Sequence, residues 1–228
     1  MNLLISGGRG KMGLLVAEVA RARGHNIIAV DVPENAGARA LTRDTLKDVD
    51  VVVDFTTPDV VLENIAACMA ANANMVVGTT GWYAEVPRIK AMVVKSGAGF
   101  LYAANFSIGV NLFFEIARTA ASALRYGYSG KILEKHHVHK KDAPSGTAVM
   151  IRNVIRDAAN TELPIESIRE GEVFGVHQVT FDSAADSITL VHDAKSRRGF
   201  AEGAVRAAEW LPGHKGFYDF KDIFRELS

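Results

Sequence analysis

The first half of the chain alternates between short apolar runs and segments whose apolar residues recur every three or four positions. Asn2–Ser6 is an apolar run, and the helical spacing that follows it ends at Gly24. Strands without polar alternation are typical of a parallel sheet covered on both faces, so this half predicts a doubly wound α/β domain. The later predicted elements are strands at Asn26–Val30, Val51–Phe55, Met75–Gly78 and Gly99–Tyr102, and helices from Pro58, capped by Thr57, to about Asn72 and over Pro87–Ser96.

The pattern changes after Asn105, where polar and apolar residues begin to alternate within the predicted strands. This alternation indicates a half-covered sheet with mixed or antiparallel pairing, and therefore a second α+β domain on a mixed, largely open sheet. We predict a first domain of residues 1–104 plus about 205–228 and a second of about 105–204. The predicted elements are a helix over Asn111–Leu124, strands at Gly130–Lys135, Val176–Asp182 and Ser187–Val191, and a helix around Gly203 through Trp210.

A glycine-rich turn lies between the first strand and the first helix. Gly8, Gly10 and Gly13 fit G-x-G-x-x-G, and glycines there let the backbone approach a pyrophosphate whose charge the helix N-terminus binds. Asp31 follows at about the 20-residue spacing of an acid that binds ribose hydroxyls. The alternative is an ordinary turn with a solvated Asp31. Between a strand and a helix, the motif favours a Rossmann-type, dinucleotide-binding first domain.

The identity of the nicotinamide cofactor depends on Asp31, which would repel a 2'-phosphate and so favours NADH. Basic residues at Arg9, Lys11, Arg39 and Arg43 would soften that repulsion, so use of both NADH and NADPH stays open. Two loops that follow later strands would face the nicotinamide, unless they are merely turns. The candidate cofactor-binding residues are Gly7, Gly8, Arg9, Gly10, Lys11, Met12, Asp31, Gly78, Thr79, Thr80, Ala103, Ala104, Asn105 and Phe106.

Composition excludes several classes of partner. The 228 residues contain 26 Lys plus Arg and 26 Asp plus Glu, so no net field attracts nucleic acid or an acidic membrane. No run reaches the roughly 20 apolar residues of a membrane span, and the first residues lack the pattern of a signal peptide. The single cysteine, Cys68, lies in an apolar stretch and is expected to be a buried thiol. We therefore expect a cytoplasmic protein.

The densest collection of titratable residues is the run from Glu134 to Thr147. Helical apolar spacing begins at Ala148, so Ser145, Gly146 and Thr147 are predicted to form a helix start whose amides and hydroxyls cradle a carboxylate. Just upstream, Lys140 adds a positive charge. The histidines of the run, any of which could transfer a proton near neutral pH, are His136, His137 and His139.

Other interpretations of this run remain open. His137, His139 and Asp142 could bind a metal, but no further ligand follows at a fixed spacing and we expect no metal site. The histidines could be structural residues with hydrogen-bonded rings, and the lysines a solvated face. Strand alternation would point His136 and His137 to opposite faces, so we expect the strand to end near Lys135.

The motifs together resemble the 4-hydroxy-tetrahydrodipicolinate reductase (dihydrodipicolinate reductase) family of bacterial diaminopimelate and lysine biosynthesis. The most specific is His-His-x-His-Lys followed by Asp-Ala-Pro-Ser-Gly-Thr, and the others contribute order and spacing along the whole chain. They are the glycine turn, Asp54-Phe55-Thr56, Gly78-Thr79-Thr80-Gly81-Trp82, Asn105 to Asn111, Glu134 to Ala148, His192-Asp193-Ala194, Ser196-Arg197 and Phe200 to Ala204.

The resemblance implies hydride transfer from NAD(P)H to an unsaturated cyclic dicarboxylate, which gives tetrahydrodipicolinate with loss of water from the hydroxylated precursor. By motif position, His136 is similar to the family's proton donor and Lys140 to its second catalytic residue. His137 and the Ser145-Gly146-Thr147 turn look like its substrate contacts. The resemblance also implies a homotetramer assembled through the sheet of the second domain. It further implies that the two domains of each chain close over the ligands.

Two departures from the family pattern are visible: the chain is short, and no basic residue immediately follows Asp31. The choice of coenzyme therefore stays open, and only the resemblance ranks Lys140 above Lys141. Two alternative functions belong to other classes. A nicotinamide-sensing regulator would bind cofactor without turnover, and a metal-dependent hydrolase would lose activity with a chelator.

Overall fold

A computed structural model of the chain describes residues 1–31 and 34–227. The chain forms two compact units, Met1–Ser107 with Arg198–Ser228 and Ile108–Arg197. The return to the first unit comes at Arg198 rather than near residue 205, because the helix predicted around Gly203 is continuous from Arg198 to Trp210. The chain first passes from one unit to the other between Ser107 and Ile108, whereas the predicted boundary lies at residue 104.

The strands are β1 Asn2–Ser6, β2 Asn26–Val30, β3 Val51–Asp54, β4 Met75–Val77, β5 Gly99–Tyr102, β6 Ser129–His136, β7 Ile165–Arg169, β8 Val176–Asp182, β9 Ser187–Asp193 and β10 Gly216–Asp219. The helices are α1 Lys11–Ala22, α2 Arg43–Leu46, α3 Pro58–Ala70, α4 Val86–Ser96, α5 Ile108–Ala120, α6 Gly146–Ala159, α7 Arg198–Trp210 and α8 Phe220–Ile223.

The first unit is built on a parallel sheet with the strand order β10-β5-β4-β3-β1-β2. Strands β1 and β3 are neighbours at its centre, and their apolar residues are fully buried because helices cover both faces. The chain runs outward from β1 in one direction to β2 and in the other through β3. Ligands of open α/β sheets bind beyond the carboxyl ends of the strands at such a switch point.

The second unit is built on a four-stranded sheet with the order β7-β6-β8-β9. β6 pairs parallel with β7 and antiparallel with β8, and β8 pairs antiparallel with β9. Alternate residues of the strands face α5 and α6, which both pack on one side of the sheet. The shared apolar core includes Phe113, Ala117, Ile132, Ile151, Ile155, Val179 and Phe181.

The structure confirms the predicted fold class, a Rossmann-type parallel sheet plus a second domain on a mixed sheet. Two strands escaped prediction, β7 and β10. Each is short and carries polar residues among its apolar ones, and each is defined by pairing with a distant strand, β6 and β5 respectively. Helix α3 has Thr57 at its N-cap position and Pro58 at its first turn as predicted, but it ends at Ala70, before Asn72.

Candidate active site

The glycine turn of the first unit has the geometry that close backbone packing requires. Gly7 adopts φ +79°, and a Cβ on it would lie 2.3 Å from the carbonyl oxygen of Phe55. A Cβ on Gly13 would lie 2.1 Å from the carbonyl oxygen of Gly7, so α1 packs directly on the turn. Gly10 is the N-cap of α1 and supplies no side chain to its first amides. This uncovered helix start fits a pyrophosphate.

Asp31 lies at the end of β2 beside this turn. One of its carboxylate oxygens accepts a hydrogen bond from the amide of Arg9 at 2.9 Å. The Arg9 guanidinium bonds to Glu34 at 2.5 Å, and Arg39 donates to the Glu34 carbonyl at 3.1 Å. A cleft opens here, at the carboxyl ends of the central strands. Its lining is Ser6, Gly7, Gly10, Asp31, Asn35, Phe55, Thr56, Thr57 and Val60.

Of the basic residues considered for a 2'-phosphate, Arg9 and Arg39 converge on Glu34. Arg43 instead bonds to the carbonyl of Ala70 at the end of α3, at 3.0 Å and 3.3 Å. The pKa of the Glu34 carboxyl is lowered by a backbone hydrogen bond and by Arg9. Two basic side chains are thus grouped near Asp31, Arg9 on the Glu34 carboxylate and Arg39 on the Glu34 carbonyl.

Behind the cleft, the buried carboxylate of Asp54 accepts hydrogen bonds from several donors. The side chains of Asn64 and Thr79 both donate to it at 2.7 Å, and the hydroxyl of Thr56 donates at 2.8 Å. Asn64 in turn accepts a hydrogen bond from the side-chain amide of Asn35 at 2.9 Å. The hydroxyl of Thr79, a candidate cofactor contact, is therefore committed to Asp54 within the unit.

The two loops expected to face the nicotinamide differ in accessibility from residue to residue. Thr80 and Ala104 are exposed, whereas Ala103 and Phe106 are buried. A Cβ on Gly78 would collide with the ring of Phe55, so the loop after β4 packs closely on the loop after β3. The exposed members of both loops remain candidate contacts for a ligand.

In the second unit, the inner face of the sheet changes from apolar to polar toward the end of β6. Glu134 and His136 follow the buried Ile132 on that face, and the Nδ1 atom of His136 bonds to Glu134. Glu134 also accepts a hydrogen bond from Arg169 of β7 at 2.9 Å and from the amide of Ser145 at 3.3 Å. One buried carboxylate therefore joins two strands and the start of α6.

The pKa values of this pair reflect burial and mutual attraction. Burial lowers the pKa of His136 below its usual value, against the opposing influence of Glu134. Burial alone would raise the pKa of Glu134, but hydrogen bonds from Arg169, Ser167 and His136 outweigh it and leave that pKa lowered. The lowered pKa of Glu134 favours its ionised form, and the lowered pKa of His136 favours a neutral ring.

Sheet register brings two further histidines to the same face. Glu134 pairs with His177 of β8, and His177 pairs with His192 of β9. The His136 and His177 rings lie 5.2 Å apart, and His177 Nε2 is 3.2 Å from the hydroxyl of Ser145. Burial and the neighbouring histidines lower the pKa of His177 to about 4, so this ring is neutral at pH 7.

The predicted start of α6 is present as expected. Ser145 is the N-cap, its hydroxyl accepts from the amide of Ala148 at 3.2 Å, and the helix begins at Gly146. Ser145 is buried, whereas Gly146 is exposed and has no heavy atom within 4 Å of a built Cβ. The first turn, where Gly146 is exposed and Thr147 is half-buried, can bind an anion through its amides.

The remaining residues of the run from Glu134 to Thr147 differ in their exposure and in their contacts. Strand β6 ends at His136, one residue later than expected, and the amide of His137 bonds to the carbonyl of Val173 at 2.8 Å. Lys140 pairs with Asp142 at 2.8 Å and its side chain is 23% exposed. Lys141 is exposed, so the structure distinguishes the two lysines. His139 is 76% exposed and lies near Glu172 at the surface.

Sequence reasoning assigned no role to Glu134, Arg169, His177 or His192. One available signal was strand alternation, because Val176–Asp182 places His177 on the same face as Val179 and Phe181. Arg169 could not be placed, because its strand was not predicted. In the described residues, the Nδ1 atoms of His137, His177 and His192 are buried without a hydrogen-bond partner. Such atoms indicate a site prepared for a polar ligand or water.

Residues 1–31 and 34–227 lack the features of two other classes of site. No helix there has both the length and the apolar composition needed to cross a membrane. Histidine, cysteine and carboxylate side chains do not gather there in groups of three or more that could hold a metal ion.

The chain combines a Rossmann-type unit that has a bare helix start with a unit that has a buried histidine and carboxylate pair, and the family that it matches is one of pyridine-nucleotide-dependent reductases. The family models for the N-terminus and the C-terminus of dihydrodipicolinate reductase match residues 1–106 and 109–224. The chain belongs to the dihydrodipicolinate reductase family, as the resemblance of its motifs indicated.

The similarity to individual relatives extends over nearly their whole length. The chain is 36% identical to the 4-hydroxy-tetrahydrodipicolinate reductase of Christiangramia forsetii, over 100% of this chain and 99% of the relative. It is 33% identical to that of Neisseria meningitidis serogroup A, over 98% and 97%. A dipicolinate-bound dihydrodipicolinate reductase from Paenisporosarcina sp. TG-14 superposes with a TM-score of 0.81 at 25% identity, covering 98% of this chain and 99% of that one.

Proposed function

We propose that the chain is an oxidoreductase that reduces 4-hydroxy-tetrahydrodipicolinate, or dihydrodipicolinate, to tetrahydrodipicolinate in diaminopimelate and lysine biosynthesis. The observation that carries the proposal is the buried pair of His136 and Glu134 beside the exposed start of α6, in a chain of this family. The pair can donate or accept a proton, and the helix start can bind a carboxylate.

The proposed roles in the second unit follow from charge and position. His136 donates the proton that must accompany hydride addition to the conjugated ring. Lys140 supplies positive charge and is the second catalytic residue, while His137, Ser145, Gly146 and Thr147 contact the substrate. The carboxylates of a bound dianion would raise the pKa of His136, which burial lowers in the free protein. Substrate binding would thereby favour the protonated form of His136, which is the form that acts as an acid.

The first unit is proposed to bind the nicotinamide cofactor, NADH, NADPH or both, which supplies the hydride. Gly7, Gly8 and Gly10 let the backbone approach the pyrophosphate at the start of α1, with Arg9, Lys11 and Met12 around it. Asp31 accepts hydrogen bonds from the ribose. The loop residues proposed to approach the nicotinamide are Gly78, Thr79, Thr80, Ala103, Ala104, Asn105 and Phe106. Of these, Thr79 would contribute backbone groups, because its hydroxyl is committed to Asp54.

A homotetramer is proposed to form through the sheet of the second unit. Helices α5 and α6 both pack on one face of that sheet, so the opposite face is available to another copy. It carries apolar side chains such as Leu133, Val176 and Val191, the last of which is 55% exposed. Light scattering coupled to size-exclusion chromatography tests this assembly, and a monomeric mass would contradict it. A cytoplasmic location stays a prediction.

The activity is tested by following NADH or NADPH absorbance after addition of freshly generated 4-hydroxy-tetrahydrodipicolinate. We expect oxidation of the coenzyme in proportion to the substrate supplied, with no loss of rate in the presence of a metal chelator. Absence of oxidation at high enzyme concentration with both coenzymes would overturn the proposal. A separate binding measurement with NADH would then distinguish a cofactor-sensing protein from one that binds no nicotinamide at all.

A further inference from the structure

Glu134 has the least exposed carboxylate of the second unit, and its two oxygens serve different partners. Oε2 bonds to Nδ1 of His136, while Oε1 accepts from Arg169 at 2.9 Å and from the amide of Ser145 at 3.3 Å. The side chain is fully buried, so these contacts are not screened by solvent. An ionised carboxylate is retained in such a place only when it is paired and hydrogen-bonded.

The contact with Glu134 decides which ring nitrogen of His136 is free for chemistry. An ionised carboxylate can only accept, so Nδ1 must carry a proton and Nε2 is the atom left to exchange one. Nε2 lies beside Gly175, where a Cβ would come within 3.0 Å of it. A glycine at that position therefore leaves space beside the reactive nitrogen.

Arg169 holds Glu134 in this state. Its guanidinium donates to Glu134 and, at 2.6 Å, to the carbonyl of Asp142, whose side chain pairs with Lys140. The same carboxylate is therefore connected to the proton donor, to the helix start and, through Arg169, to the loop that carries the second catalytic lysine. Rotation of Glu134 would disturb all of these groups together.

We infer that Glu134 is the positioning residue of the site, which fixes the ring orientation and tautomer of His136 and sets the first amide of the carboxylate-binding turn. The inference rests on the proposed function, because it requires His136 to be the proton donor. It concerns a residue that acts through its neighbours, since Glu134 is not itself proposed to touch the substrate.

The inference predicts a specific change in pH dependence. The charged and titratable groups that face His136 are Glu134, which raises its pKa, Lys140 and Arg169, which lower it, and the neighbouring ring of His177. Loss of the Glu134 charge leaves only lowering influences. His136 then loses its proton at lower pH, so the alkaline fall of kcat/KM should move to lower pH.

The test compares Glu134→Gln with His136→Gln, the double variant and the matched control Glu162→Gln. Glu162 pairs with Arg152 at 3.2 Å on the surface of the same unit, so the control removes an ion pair that includes none of the proposed site residues. We expect Glu134→Gln to lower kcat by roughly 10- to 100-fold and to shift the alkaline limb to lower pH, while NADH binding is unchanged. Glu162→Gln should behave as the parent protein.

The double variant separates positioning from a merely structural role. If Glu134 acts through His136, the kcat of the double variant should equal that of His136→Gln, because effects of residues that act as a unit are not additive. Multiplicative losses in kcat, or an unshifted pH profile in Glu134→Gln, would overturn the inference while the role of His136 stood. Near-normal turnover of His136→Gln would instead overturn the proton-donor proposal.

Glu134→Asp provides a second measurement if the glutamine variant does not fold. It keeps the charge but shortens the side chain, so we expect a lower kcat with the alkaline limb near its original pH. Nitrogen-15 NMR of the histidine rings should also report Nδ1 as the protonated atom of neutral His136 in the parent protein. Parental kcat and KM in Glu134→Asp, or a ring protonated on Nε2, would contradict the inference.

Discussion

The glycine-turn region of the first unit and the histidine region of the second, both proposed to bind anionic ligands, are built from different chemical groups. Around Gly7 and Gly13 the site consists of backbone, and the buried polar side chain behind it, Asp54, is fully supplied with donors from its own unit. Around His136 the site consists of buried side chains, and the Nδ1 atom of His177 has no partner in the described part of the chain.

The glycine turn is therefore a rigid backbone site, the cradle, whereas the histidine region is a site of titratable side chains. A turn built from glycines binds through shape and through amides that cannot titrate, so its properties change little with pH. Buried histidines beside an ionised glutamate respond to any added charge, so their protonation is coupled to ligand binding. Substitutions in the histidine region should therefore change kcat and pH dependence, whereas substitutions in the glycine turn should change stability and cofactor binding.

The largest expected effect is on chemistry in the second unit. His136→Gln should lower kcat by about 100- to 10,000-fold, the usual contribution of general acid catalysis, without weakening NADH binding. Steady-state kinetics and fluorescence titration with NADH measure the two quantities separately. His139→Gln is the control, because His139 belongs to the same run but is 76% exposed. A variant with near-normal kcat would remove His136 from the acid role.

The next effect concerns stability as a function of pH. The pKa of His177 is lowered to about 4 in the folded protein, from about 6.5 when unfolded. The unfolded chain therefore binds more protons between these values, and stability is lost as pH falls through that window. The loss from this residue is on the order of 3 kcal/mol at full extent. His177→Gln should flatten that part of the curve of unfolding free energy against pH, measured by urea denaturation.

His139→Gln serves as the control for this measurement too, since its ring is exposed. A His177→Gln curve parallel to that of the parent protein between pH 6.5 and 4 would mean that another group carries the pH dependence. His136 and His192 also have lowered pKa values through burial, so part of the slope should remain in the variant.

A pair of glycines tests whether the cradle is rigid. Gly13→Ala places a Cβ 2.1 Å from a backbone oxygen, so we expect a loss of about 1–3 kcal/mol in unfolding free energy together with weaker NADH binding. Gly146→Ala meets no atom within 4 Å and should leave stability unchanged or slightly higher. Any effect there should be on substrate KM. Equal stability losses would erase the distinction between the two helix starts.

The smallest effect concerns coenzyme choice. Asp31→Asn keeps an acceptor for the amide of Arg9 but removes the charge that would repel a 2'-phosphate. We expect the ratio of kcat/KM for NADPH over NADH to rise about tenfold, which corresponds to about 1.4 kcal/mol. The control is Asp48→Asn, an exposed carboxylate outside the cleft lining. An unchanged ratio would indicate that Arg9 and Arg39 already neutralise Asp31.

Prediction from sequence succeeded where the signal was local. Apolar runs and glycines located β1, α1 and the turn between them, and the start of α6 was recognised from Ser145 and the periodicity that follows it. Sheet pairing is not local, so β7 and β10 were missed. With β7 absent from the prediction, Arg169 could not be brought to Glu134.

The sequence by itself determined the fold class, the family and the run that contains His136, because periodicity and motif spacing are properties of the chain order. Only the tertiary structure decided which residues of that run act together and what supports them. Glu134, Arg169 and His177 lie on different strands, and their contacts depend on sheet register and burial. Burial removes solvent screening, so the protonation of these groups is a property of the folded unit and cannot be read from residue types alone.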